Sequence, residues 1–132
     1  MATPGKGVLL DTSVVVRHFR DSSALVSNLA AFEELYLPHA ALAELYAGAF
    51  RSANPEKNLQ QIRRFLDAVE VLPHDESTPE RYGRISAQLA RSGTPIPQND
   101  IWIAATALQF DLPLATGDLH FRHVTGLTVL LW

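Results

Sequence analysis

Short apolar runs that stop at polar turns alternate along this chain with longer stretches of helical period. The first run, Gly7-Val8-Leu9-Leu10, is of the kind buried inside a sheet, and it ends abruptly at Asp11-Thr12-Ser13. Thr12 or Ser13 is placed to cap a helix over residues 14–20, and Ser22 or Ser23 to start another that carries Ala24, Leu25, Leu29 and Phe32. Leu35-Tyr36-Leu37-Pro38 reads as a second strand, and the alanine- and leucine-rich residues 39–51 as a helix. Pro55 opens a helix that runs to about residue 70, and residues 69–72 read as a third strand. Pro79 starts a helix closed near Ser92-Gly93, and Pro95-Ile96-Pro97 forces an extended link before a helix over residues 99–110. Residues 112–115 and 128–131 supply a fourth and a fifth strand.

Strands separated by long helical stretches need crossover connections. They therefore predict a mostly parallel sheet covered on both faces by helices, the doubly wound α/β class. A length of 132 residues suits one such domain, without a linker or repeat.

The pattern also locates the acids. In open parallel sheets ligands bind beyond the carboxyl ends of the strands. Asp11 follows the first strand and Asp118 the fourth, while Glu44 and Asp100 fall in the opening turns of helices entered from the same edge. At about 100° per residue Asp100 sits over Ile103, Ala104 and Ala107, inside an apolar arc, and Glu44 borders the arc of Ala41, Leu45 and Ala49. Asp100, Glu44 and Asp118 each have an ordinary reading alone, as a helix cap, a surface charge and a turn residue, whereas Asp11 after a buried strand points to function by itself. Together they repel one another and resist desolvation; the natural ways to keep them are to share protons or to bind a cation, and the cluster reads as a divalent-metal site.

Composition narrows the chemistry further. Cysteine is absent, which removes disulfides, zinc ribbons and thiol catalysis and fits a cytoplasmic protein. The opening Met-Ala-Thr-Pro-Gly-Lys-Gly lacks a signal pattern, and no apolar run approaches the roughly 18 residues of a membrane span. A net charge of −3 argues at first against a nucleic-acid partner, yet setting the four acids aside leaves ten acidic against 11 basic side chains. Charge therefore leaves a polyanionic substrate open.

Four segments carry a family resemblance: Leu9-Leu10-Asp11-Thr12-Ser13; Ala43-Glu44-Leu45; Asn99-Asp100-Ile101-Trp102-Ile103-Ala104-Ala105; and Leu114-Ala115-Thr116-Gly117-Asp118-Leu119-His120-Phe121. In this order and spacing the chain resembles a PIN-domain nuclease of the VapC toxin type. The resemblance implies a single PIN domain over residues 1–132, with three layers (α/β/α) around a mostly parallel sheet of about five strands. It implies a Mg²⁺- or Mn²⁺-dependent endoribonuclease, with tRNA, ribosomal RNA or messenger RNA as substrate. A cognate antitoxin and a homodimer are its implied partners. Asp11, Glu44, Asp100 and Asp118 would be the catalytic and metal-holding acids, supported by Thr12, Ser13 and Thr116. Residues 51–93 carry no segment of the resemblance.

Arg17, Arg20 and Arg122 lie near the acidic motifs and are candidates to hold an RNA backbone, whereas Lys57, Arg63 and Arg64 read as a solvated helix face. None of the five histidines has a metal-type spacing to another, and His120-Phe121 reads as packing behind Asp118. Trp102 and Trp132 read as core or dimer residues rather than base-stacking platforms. Other classes fit less well. Phosphoryl transfer of the haloacid-dehalogenase type wants a second Asp where Ser13 stands, a receiver domain wants a late lysine where the chain has only Lys6 and Lys57, and a dinucleotide site wants glycines after the first strand. The rival from another class is a catalytically silent PIN-like module that binds RNA or protein.

Overall fold

The computed structural model describes residues 6–132. The first five positions of the opening segment, read above as lacking a signal pattern, lie outside the described residues. Five strands form one sheet in the order β3-β2-β1-β4-β5, all neighbours parallel. They are β1 (Gly7–Leu10), β2 (Glu34–Pro38), β3 (Glu70–Leu72), β4 (Leu114–Thr116) and β5 (Val129–Leu131). Six helices join them: α1 (Thr12–Arg20), α2 (Val26–Ala30), α3 (His39–Arg51), α4 (Pro55–Leu66), α5 (Thr78–Ser92) and α6 (Gln98–Gln109). A 3₁₀ turn spans Leu119–His123. The result is a three-layer α/β fold whose sheet is wholly parallel. Among the described residues no helix is long and apolar enough to cross a membrane.

The central strand is the most deeply buried. Val8, Leu9 and Leu10 are fully inaccessible, as are Leu114 and Ala115 opposite them in the register Leu9↔Leu114 and Leu10↔Ala115. Strand order reverses at this pair: the chain winds outward from β1 through β2 to β3, then returns to β4 on the other side. A crevice at that reversal is where ligands enter such sheets. The ladder extends one residue past β1, because the Asp11 amide donates to the Ala115 carbonyl at 2.9 Å. That bond holds the base of Asp11 rigidly at the carboxyl edge.

Most boundaries follow from local chemistry. Asn54 caps α4 by accepting from the Lys57 amide at 3.3 Å, with Pro55 behind it. Gly93 ends α5 at φ 68°, a conformation that suits a residue without Cβ, and the Thr94 amide closes on the Leu89 carbonyl at 3.0 Å. Two expectations are corrected. Neither Thr12 nor Ser13 caps α1, which starts at Thr12 behind Asp11 with no side-chain cap, because both hydroxyls are engaged by acids of the cleft. The second helix is only Val26–Ala30, since Asp21 takes both the amide and the hydroxyl of Ser23 and ties residues 21–23 into a turn.

Candidate active site

Asp11, Glu44, Asp100 and Asp118 line one open cleft of about 600 Å³, together with Thr12, Ser13, Arg17, Arg20 and Asn99. Four elements meet there. Asp11 comes from the end of β1, Glu44 from the second turn of α3, Asp100 from the first turn of α6, and Asp118 from the turn after β4. Among the described residues no lysine or arginine forms an ion pair with any of the four; His120 alone pairs with one of them, Asp100.

Asp11 is the most confined, at 2% exposure. Its Oδ2 accepts from the Ser13 hydroxyl and from the Thr116 hydroxyl, each at 2.7 Å. The same two hydroxyls receive backbone amides, Gly117 onto Ser13 at 3.0 Å and Asp118 onto Thr116 at 3.0 Å. The turn that carries Asp118 is thereby fastened to the strand that carries Asp11. Burial pushes the Asp11 pKa above its ordinary value, the hydroxyls pull it back, and the Asp118 charge adds to the rise.

Glu44 is held on the opposite wall. Its Oε1 accepts from Thr12 at 2.9 Å and from the Asn99 amide, whose nitrogen also reaches the Ala40 carbonyl at 3.3 Å. Asn99 therefore clamps α6 to α3 beside Asp100. Asp100 is pushed up to about 6, first by burial and then by the Asp11 charge; His120 pulls it down and Glu44 adds to the rise. The His120 Nε2 lies 2.8 Å from Asp100 Oδ2.

The four acids and the three hydroxyl residues expected to support them all reach this region. Two participants escaped that reading. Asn99 stood in the quoted motif without a role, and its place one residue before Asp100 at a helix start was the available signal. His120 read as packing; its neighbour Phe121 is indeed fully buried, but the 3₁₀ turn aims the His120 ring at α6. Arg17 and Arg20 line the cleft, whereas Arg122 is exposed and outside its lining. An adjoining cavity of about 460 Å³ shares Val16, Arg20 and Glu44 with the cleft and is lined beyond them by Lys57, Asn58 and Gln61, with Lys57 exposed on α4. Trp102 is half-buried between His74 and Tyr82, with ring centroids 4.8 and 4.3 Å away.

A family model for the PIN domain matches residues 8–127 of the chain. The chain belongs to the PIN-domain family. This PIN domain is 31% identical over 129 residues to Ribonuclease VapC1 of Haemophilus influenzae (strain R2866), covering 94% of this chain and 96% of that one. It is 37% identical over 92 residues to the tRNA(fMet)-specific endonuclease VapC of Salmonella typhimurium, covering 69% and 70% of the two chains. A chain in the crystal structure of DNA-bound VapBC from Salmonella typhimurium superposes with a TM-score of 0.88 at 28% identity, over 96% of this chain and 98% of that one. The VapC type of PIN domain, expected from the four segments, is the type these relatives represent.

The donor set of the cleft fits a divalent cation. Its four carboxylates are hard oxygen donors that form no ion pair with a lysine or arginine among the described residues, and two of them hold their protons more tightly than a solvated acid does. Bringing a dication to such a group relieves both the repulsion and the desolvation.

Proposed function

We propose that this PIN domain is a metal-dependent endoribonuclease and the toxin of a toxin-antitoxin pair. The observation that carries the proposal is the cleft itself: four acids, drawn from four elements to one edge of the sheet, that form no ion pair with a lysine or arginine among the described residues. Its ribonuclease relatives support RNA as the substrate class, and the VapBC assembly supports an antitoxin partner. Mg²⁺ or Mn²⁺ would be held by Asp11, Asp100, Asp118 and Glu44.

When bound, the cation supplies Lewis acidity toward the scissile phosphate and a more acidic water. The protein supplies position. Ser13 and Thr116 fix the Asp11 carboxylate, and Thr12 and Asn99 fix Glu44 through one oxygen only, leaving Oε2 as its donor toward the cation. Arg17 and Arg20, exposed along α1, suit flanking phosphates of the RNA strand. Hydrolysis consumes the water and splits one phosphodiester into a phosphate and an alcohol. RNA offers exposed bases in single strands and loops, and these are the expected sites. A homodimer in the cytoplasm belongs to the same proposal.

Purified protein incubated with total RNA and Mg²⁺ or Mn²⁺, with the ends mapped by sequencing, tests the reading. Discrete cuts lost with EDTA and in Asp100→Asn are expected, with tRNA the first class to inspect. Identical traces from the parent chain and the variant would overturn it in favour of a silent binding module.

A further inference from the structure

Among the described residues one group of three or more ligand-type side chains brings its donor atoms within 4.8 Å of one another, and it is not made of acids alone: it comprises Asp100, Asp118 and His120. We propose that His120 is a direct nitrogen ligand of the cation held by Asp100 and Asp118, and that it biases the site toward first-row transition dications such as Mn²⁺ over Mg²⁺. This inference rests on the reading of the cleft as a metal site and adds a donor of a different chemical kind.

Three features support it. The first is availability. Asp11 already commits Oδ2 to two hydroxyls, and Glu44 commits Oε1 to Thr12 and Asn99, whereas Asp118 has an exposed carboxylate in the turn just before His120.

The second is anchoring. His120 stands on a 3₁₀ turn pinned by the fully buried Phe121, whose ring centroid lies 4.9 Å from that of His120. The imidazole is 32% exposed, so solvent and ions reach it while its backbone stays fixed.

The third is spacing. Two adjacent ligands on an octahedral ion with bonds of about 2.1 Å sit about 3.0 Å apart. His120 Nε2 and Asp100 Oδ2 are 2.8 Å apart, close to that separation, so an ion bound by both lies beside the line that joins them and the imidazole turns toward it as the hydrogen bond opens.

The preference follows from donor softness. Mg²⁺ selects oxygen and keeps its waters, whereas an imidazole nitrogen is a good ligand for first-row transition dications. The opposing account makes His120 an outer partner that only orients Asp100, as carboxylates that hold metals are commonly oriented. The two accounts differ in what removing the ring does. An outer partner weakens every cation alike, by about 10- to 100-fold. A nitrogen ligand weakens Mn²⁺ selectively.

The test is calorimetric titration of the full chain with Mn²⁺ and, separately, Mg²⁺, comparing the parent with His120→Gln, whose amide still donates to Asp100. The expected result is a loss of Mn²⁺ affinity that clearly exceeds the loss of Mg²⁺ affinity. Electron spin-echo spectra of the Mn²⁺-loaded parent should carry modulation from a directly bound nitrogen, and the variant should lose it. His120→Ala repeats the comparison, with metal-free melting curves as the folding control. Equal losses for both ions, or a parent spectrum without nitrogen modulation, would overturn the inference while leaving the cleft a metal site. A parent chain that binds neither ion would overturn the metal reading as well.

Discussion

The chain contains the triplet Asp-x-Ser three times, at Asp11-Thr12-Ser13, Asp21-Ser22-Ser23 and Asp75-Glu76-Ser77. In all three the serine hydroxyl donates to the aspartate, at 2.7, 2.6 and 2.9 Å. The ionisation of the three acids nevertheless diverges. Asp21 and Asp75 are held below their ordinary pKa, Asp21 chiefly by the Ser23 hydroxyl and Asp75 chiefly by the Ser77 amide. Asp11 is pushed the other way, because burial outweighs its hydrogen bonds and Asp118 adds a like charge. One local motif thus serves as a surface turn twice and as part of a charged cleft once. The difference lies in what the fold packs around it.

The sharpest way to break the comparison is to neutralise one member of each kind. Asp11→Asn is expected to lower metal-dependent RNA cleavage by about 100-fold or more. It should also raise the metal-free melting temperature, since a neutral amide escapes the burial penalty of the carboxylate. Asp75→Asn should do the reverse: it lowers the melting temperature, because a favourably bonded surface charge is lost, and leaves cleavage intact. Cleavage assays and thermal melts on the two variants check this, and matching melting shifts of one sign would dissolve the contrast.

A smaller effect separates the two kinds of acid by pH. Asp100 has a folded-state pKa of about 6, above its ordinary 3.8. Its contribution to stability is therefore complete below about pH 3.8 and is lost as pH rises through about 6. Asp21 and Asp75 are lowered, so their contributions are present above the ordinary value and are lost as pH falls. Denaturant titrations of metal-free protein should show Asp100→Asn gaining on the parent chain between about pH 4 and pH 7. Mn²⁺ at about 100 times its dissociation constant should return about 2.7 kcal/mol to the parent at neutral pH and much less to the variant.

The smallest contrast concerns the serines. Ser13→Ala leaves a buried carboxylate short of one donor and frees the Gly117 amide, a cost of about 1–3 kcal/mol. Ser23→Ala affects only a solvated turn and should fall well below that. Chemical denaturation of the two variants measures the difference, and equal costs would mean that the cage around Asp11 contributes nothing beyond the local motif.

Much of the architecture was legible because its signals are local. The alanine-rich helix begins and ends where residues 39–51 placed it, Gly93 closes α5, and the strands fall on the short apolar runs. The acids could be assigned to one edge from strand direction alone. What escaped were the partners that polar side chains take, some of them two residues away, as Asp11 is for Ser13 and Asp21 for Ser23, and some in distant segments. Thr12 and Ser13 looked like helix caps, because a hydroxyl after a strand is usually free to cap, and here each is drawn to an acid. His120 looked like packing because nothing within its own turn predicts a partner on α6, 20 positions away in the chain.

The sequence by itself therefore determined the succession of strands and helices, and the fact that Asp11, Glu44, Asp100 and Asp118 would lie on one side of the sheet. Periodicity acts over one to four residues, and the order of residues contains it. Only the tertiary structure decided the strand order β3-β2-β1-β4-β5, the hydroxyls that hold each acid, the elevation of two pKa values and the entry of His120. These depend on desolvation and on charges a few ångströms apart in space. The Thr116 that steadies Asp11 is 105 residues from it in the chain, and folding alone brings the two together.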